Sequence, residues 1–112
     1  MEKHGTSRVD VAEWGCEALH DLAFSNAENR KIIGETGGIA IIFHMMEKHG
    51  TSRAAVACKG CGALGSLACN NPDNQQIIGA GGILMIFHMM EKHGTSRAAV
   101  ACKVKVVVRL VA

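Results

Sequence analysis

FHMMEKHGTSRAAVACK, residues 43–59, recurs without a change at residues 87–103. Its middle part, MEKHGTSR, stands a third time at residues 1–8, so successive copies are 45 and 44 residues apart. Between these blocks the match is looser but continuous. WGCEALHDLAFSNAENRKIIGETGGI (14–39) aligns with KGCGALGSLACNNPDNQQIIGAGGI (59–83), with one residue fewer near the paired glycines. A period of this size is that of helical solenoids, in which each unit buries its apolar face only by stacking on a neighbour.

Each unit reads as three helices. The long one is expected to start at Thr6 or Ser7 and again at Thr51 or Ser52, whose hydroxyls suit N-caps. Val11, Gly15, Ala18, Leu19, Leu22 and Ala23 fall on one stripe at helical spacing, and Val56, Gly60, Ala63, Leu64, Leu67 and Ala68 repeat it. Gly15 and Gly60 weaken the helix but let a neighbour approach. A short helix follows, capped by Asn26 or Asn71, with Pro72 at its first position. Ile32, Ile33, Ile77 and Ile78 supply its apolar face, and Gly34, Gly37, Gly38, Gly79, Gly81 and Gly82 are expected to break it. The third helix, IAIIFHMMEKH or ILMIFHMMEKH, should end at Gly50 or Gly94 as C-caps.

The GCxALxxLA long helix, the N-x-[ED]-N-x-x-I-I-G short helix and the GGI opening of the next helix resemble the armadillo repeat family over nearly the whole chain. The resemblance implies an all-α, right-handed α-solenoid of three-helix units. Their long helices would line a concave surface that binds proteins or extended peptides. It places a single array over 1–112, with a partial unit at 1–25, a full unit at 26–69 and an atypical terminal unit at 70–112. Peptide-binding members carry a Trp and, four residues on, an Asn that holds the peptide backbone. Here those positions are Glu17 and Asp21, then Gly62 and Ser66, so the Asn ladder is missing.

The chain's 112 residues are 48% hydrophobic and 20% charged, which is globular composition rather than disorder. The apolar runs are too short to span a bilayer, and the N-terminus has no apolar secretory core, so a cytoplasmic protein without membrane partners is expected. Four aromatics and no Tyr argue against a base-stacking nucleic-acid surface. Residues 1–50 hold eight acids and five bases, whereas 51–112 hold two acids and seven bases. Such a dipolar chain can attract copies of itself head to tail.

The ends of the chain read as a slice of an array. MEKH is the tail of a third helix, and AAVACKVKVVVRLVA keeps the long-helix register despite its Val content. Val104, Val106, Val107, Val108, Leu110 and Val111 would form an apolar end face. Uncapped ends of this kind favour head-to-tail stacking or domain swapping into a homo-oligomer. Identity over residues 43–59 and 87–103 points to a recent duplication or to a join of fragments. An engineered or recombined repeat protein with no evolved ligand is therefore the alternative reading.

Candidate chemistry is sparse. Cys58 and Cys61 form a CxxC, the basis of a thiol- or metal-binding alternative, but the pair falls within the long helix and does not recur. Five cysteines, an odd number, do not suit a disulfide framework. His44 and His49 are five apart, off one helical face, so no metal, cofactor or catalytic residue is expected. Asp10, Glu13, Glu17 and Asp21 recur every three or four residues opposite the apolar stripe. They are either a solvated face or an acidic strip for a basic partner, with Trp14 beside it as an anchor and Lys59 and Ser66 at the matching positions one unit on. The expectation is a non-enzymatic binding and self-assembly module.

Overall fold

The computed structural model describes residues 8–50 and 53–93. They form five α-helices: α1 (Arg8–Ala23), α2 (Ala27–Glu35), α3 (Gly38–Met45), α4 (Ala54–Ala68) and α5 (Pro72–His93), with one π-helical turn, Met46–Gly50, between α3 and α4. No strand occurs among the described residues. The all-α expectation therefore holds. The expected terminal residues Val104, Val106, Val107, Val108, Leu110 and Val111 lie outside the described residues.

The two copies fold their long-helix-to-short-helix corner in the same way. Ser25 (φ 55) and Asn70 (φ 51) take the left-handed conformation just after α1 and α4, which reverses the chain within a few residues. Asn26 and Asn71 then cap the next helix, their side chains accepting from the backbone N–H of Asn29 and Asn74, each at 2.9 Å. Pro72 opens α5, where its missing N–H costs nothing. A second tier of bonds reaches back seven residues. Asn29 Nδ2 donates to the Leu22 carbonyl at 2.7 Å and Arg30 Nη1 to that of Ala23 at 3.0 Å. One repeat on, Asn74 Nδ2 donates to Leu67 and Gln75 Nε2 to Ala68, both at 2.9 Å. These donors satisfy carbonyls at the end of the long helix that have no intrahelical partner.

Asn74 does more than its counterpart. Its amide also donates to the Arg30 carbonyl at 3.0 Å, a contact across 44 residues that ties the second copy to the first. Asn74 is buried. It fits because Gly34 has no side chain, and a Cβ there would collide with Asn74 Oδ1. The seam continues in the packing of α4 on α1, the most extensive contact among the described helices. Around it lies one core cluster with Cys16, Ala23, Ile33, Ile39, Ile42, Met46, Leu64, Leu67 and Ile78. Each large aliphatic side chain buried there contributes about 1.5–3 kcal/mol.

Three expectations need correction. First, the second copy does not break into a short and a third helix, because α5 runs unbroken through Gly79, Gly81 and Gly82. In the first copy Thr36 closes α2, its N–H and Oγ1 both reaching the Ile32 carbonyl, and Gly37 turns left-handed at φ 89. The second copy has GAGG for GETGG, one residue fewer and no Thr, so the helix continues. Gly82 is instead a seat for Phe43, whose Cζ would lie 2.6 Å from a Cβ at that position.

Second, the cap of α4 is Arg53, extended and without a side-chain bond, rather than Thr51 or Ser52. Third, the first long helix is rotated relative to its expected stripe. α1 buries Ala12, Cys16 and Ala23, with Leu19 packed against the core, while Val11, Gly15, Ala18 and Leu22 face outward. In α4 every expected stripe residue is buried, together with Ala57, Cys61 and Gly65. The residues repeat, but among the described residues α4 is covered on two sides and α1 on one.

Gly34 and Gly79 are equivalent in sequence and opposite in setting. Gly34→Ala gains helix propensity but displaces a buried amide, and the collision dominates, with an expected loss of about 1–3 kcal/mol. Gly79 has nothing among the described residues within 4 Å of its Cβ position, so Gly79→Ala should be neutral or gain up to about 1 kcal/mol. Urea unfolding of both variants checks this, and equal effects would refute the seam.

Candidate functional site

α1 presents two distinct surfaces to either side of its buried line. On one flank run the acids. Arg53 Nη1 lies 2.7 Å from Asp10 Oδ1 and 3.3 Å from Glu13 Oε1, and Lys59 Nζ lies 3.2 Å from Glu17 Oε2. The acidic strip is therefore beside the α1–α4 seam, not opposite the apolar stripe, and the bases it meets belong to this chain. The bonds from Asp10, and less strongly from Glu13, hold the Arg53 guanidinium above its ordinary pKa, with desolvation opposing them. All these groups are partly exposed, so each pair contributes modestly and weakens with salt. Their main effect is to fix the register of α4 on α1.

Of the expected concave-face residues, Asp10, Glu13, Glu17 and Lys59 are thus engaged across the seam. Asp21 is exposed and pairs with His20 Nδ1 at 3.3 Å. Ser66 is half-buried near the end of α4, where its carbonyl receives the Cys69 N–H. Trp14 is free of that network and 56% exposed. Arg53 was missed as a site residue because its partners lie 40 and 43 positions away. The repeat offset was the signal available, since it places the start of α4 alongside that of α1.

On the other flank Val11, Gly15, Ala18 and Leu22 form an open apolar face with Trp14 at its edge. Val11 is 55% and Leu22 53% exposed. Phe24, immediately beyond α1, is 66% exposed. No family model, curated protein or solved structure matches the chain. The site is therefore read from its own chemistry. Among the described residues no helix is long and apolar enough to cross a membrane, and no group of three or more His, Cys, Asp and Glu gathers as a metal site.

The thiols are graded by burial. Cys58 is half-buried and Cys61 fully buried inside α4; Cys69 is half-buried, and all three are thiols outside any disulfide. Cys16 sits against the core, and burial pushes its thiol from 9.0 up to about 11. Because the folded value is the higher one, the neutral thiol favours the fold. That contribution is complete below pH 9.0 and is lost as pH rises through about 11. Cys16→Ala should therefore lose less stability over that interval than the parent, read by urea titration at each pH. At mildly alkaline pH a maleimide should modify Cys58 and Cys69 before Cys16 and Cys61 by peptide mass mapping; the reverse order would contradict the packing.

Proposed function

We propose that the chain is a non-enzymatic helical repeat module of armadillo type that acts by binding protein, foremost further copies of itself. The repeat period and the armadillo-like motifs support the architecture. The observation that carries the function is the open apolar flank of α1. Val11, Leu22 and the adjacent Phe24 are each more than half exposed, with the equally open Trp14 at the edge. Large apolar side chains grouped on one helix face are what protein interfaces use.

The ion pairs change the expected mode of binding. Asp10, Glu13 and Glu17 already hold Arg53 and Lys59, so a basic peptide would have to displace bonds within the chain. Apolar contact is therefore the main driving force of this proposal. Charge on the two halves of the chain serves to orient the encounter.

Sedimentation equilibrium from low to high micromolar concentration tests this. The expected result is a weight-average mass that climbs above the 11.9 kDa of one chain and persists at high salt. A single species of that mass throughout would overturn the proposal.

A further inference from the structure

α5 is the repeat counterpart of α2, Thr36, Gly37 and α3, yet it runs unbroken from Pro72 to His93. Gly81 matches Gly37, and Gly82 matches Gly38. In the first copy both glycines have a use. Gly37 takes φ 89, a conformation that strains any side chain. Gly38 lies against Ile33, and a Cβ there would collide with Ile33 Cγ2. In the second copy Gly82 must again be bare, because a Cβ would stand 2.6 Å from Phe43 Cζ. Gly81 has no such need. It is exposed, it is not among the residues with positive φ, and nothing among the described residues lies within 4 Å of its Cβ position. Together with Gly79 it weakens the helix at two points within three residues. The unbroken form draws no benefit from the bare backbone of Gly81.

The helix is held on both sides of this point. Before it, Asn74 bonds the Arg30 and Leu67 carbonyls and Ile78 is fully buried. After it, Gly82 is seated on Phe43 of α3. Only residues 79–81 lie between the two anchors. We propose that Gly81 is a hinge at which α5 exchanges between the unbroken helix and the bend of the first copy, with Gly81 turning left-handed as Gly37 does. The unbroken form keeps the backbone hydrogen bonds that cross the joint. The bent form escapes the cost of glycine within a helix. Thr36 decides between the two in the first copy, closing α2 through its N–H and Oγ1 on the Ile32 carbonyl. The second copy lacks that residue, so its bend is not locked and the unbroken helix is the resting form. The hinge sets the course of residues 83–93 relative to the Asn74 seam. It therefore sets the angle between successive units, from which a solenoid derives the curvature of its binding surface. This inference goes beyond the self-association reading and does not depend on it.

Amide hydrogen exchange of the full chain at low concentration tests the hinge. The amides of residues 81–84, whose helical bonds cross the joint, should exchange through a local opening that low urea hardly changes. They should be less protected than the amides of Ile77 and Ile78. Gly79→Ala and Gly81→Ala then separate a hinge from simple unwinding. Both positions are open among the described residues and Ala favours the helix at each, so both variants should fold. Unwinding is opposed equally by the two, with protection at 81–84 rising about fivefold in either variant. A hinge that turns left-handed at Gly81 is opposed far more by Gly81→Ala, and protection there should rise about thirtyfold or more. A gain in Gly81→Ala no larger than in Gly79→Ala would overturn the hinge. So would amides at 81–84 that are as well protected in the parent as those of Ile77 and Ile78.

Discussion

The Asn74 amide is the constraint on which the rest of the fold depends. One side chain closes the corner of its own copy at the Leu67 carbonyl and crosses to the Arg30 carbonyl of the copy before it. It is buried, so neither bond can be exchanged for water without cost. Its position requires Gly34 to be bare. Once Asn74 is seated, α5 is fixed against α2, and α4 is brought alongside α1, where Arg53 and Lys59 meet the acids. Asn29 is the same residue one repeat earlier and reaches the same carbonyl in its own copy. An array can thus be extended by repeating one motif, with each new asparagine joining its unit to the last.

The repeat, the helical class, the Asn26 and Asn71 caps and the start of α5 at Pro72 were legible because each depends on neighbours within a few residues. The α4 stripe was legible because that helix is covered on two sides, so any helical apolar line through it is buried. The stripe on α1 was misread for the complementary reason. Val11 and Val56 are the same residue in the same register, and only the cover differs. The unbroken α5 turned on a count of one residue, the loss of Thr36, which left Gly81, the match of the left-handed Gly37, inside the helix. The role of Arg53 was hidden by sequence distance, since no local pattern pairs residues 43 positions apart.

These differences bear on function more than on fold. Acids that looked available to a partner are occupied at the seam, and apolar residues that looked like core are open. The candidate surface is therefore the opposite flank of the same helix from the one the charge pattern picks out. Gly15 illustrates the change. A glycine inside a helix weakens it by about 1 kcal/mol, and at Gly60 that weakness has a structural use, the seating of Met46. Gly15 has no such neighbour among the described residues.

The central claim is that the seam makes the two copies one cooperative body. Trp14 lies in the first copy, whereas far-UV circular dichroism reports all helices together. The most direct test is one urea titration of dilute protein followed by both signals. Coincident transitions with the same midpoint and slope are the predicted result. Two separated transitions, with Trp14 reporting one and the remaining helical signal the other, would show that the copies fold independently and would contradict the claim.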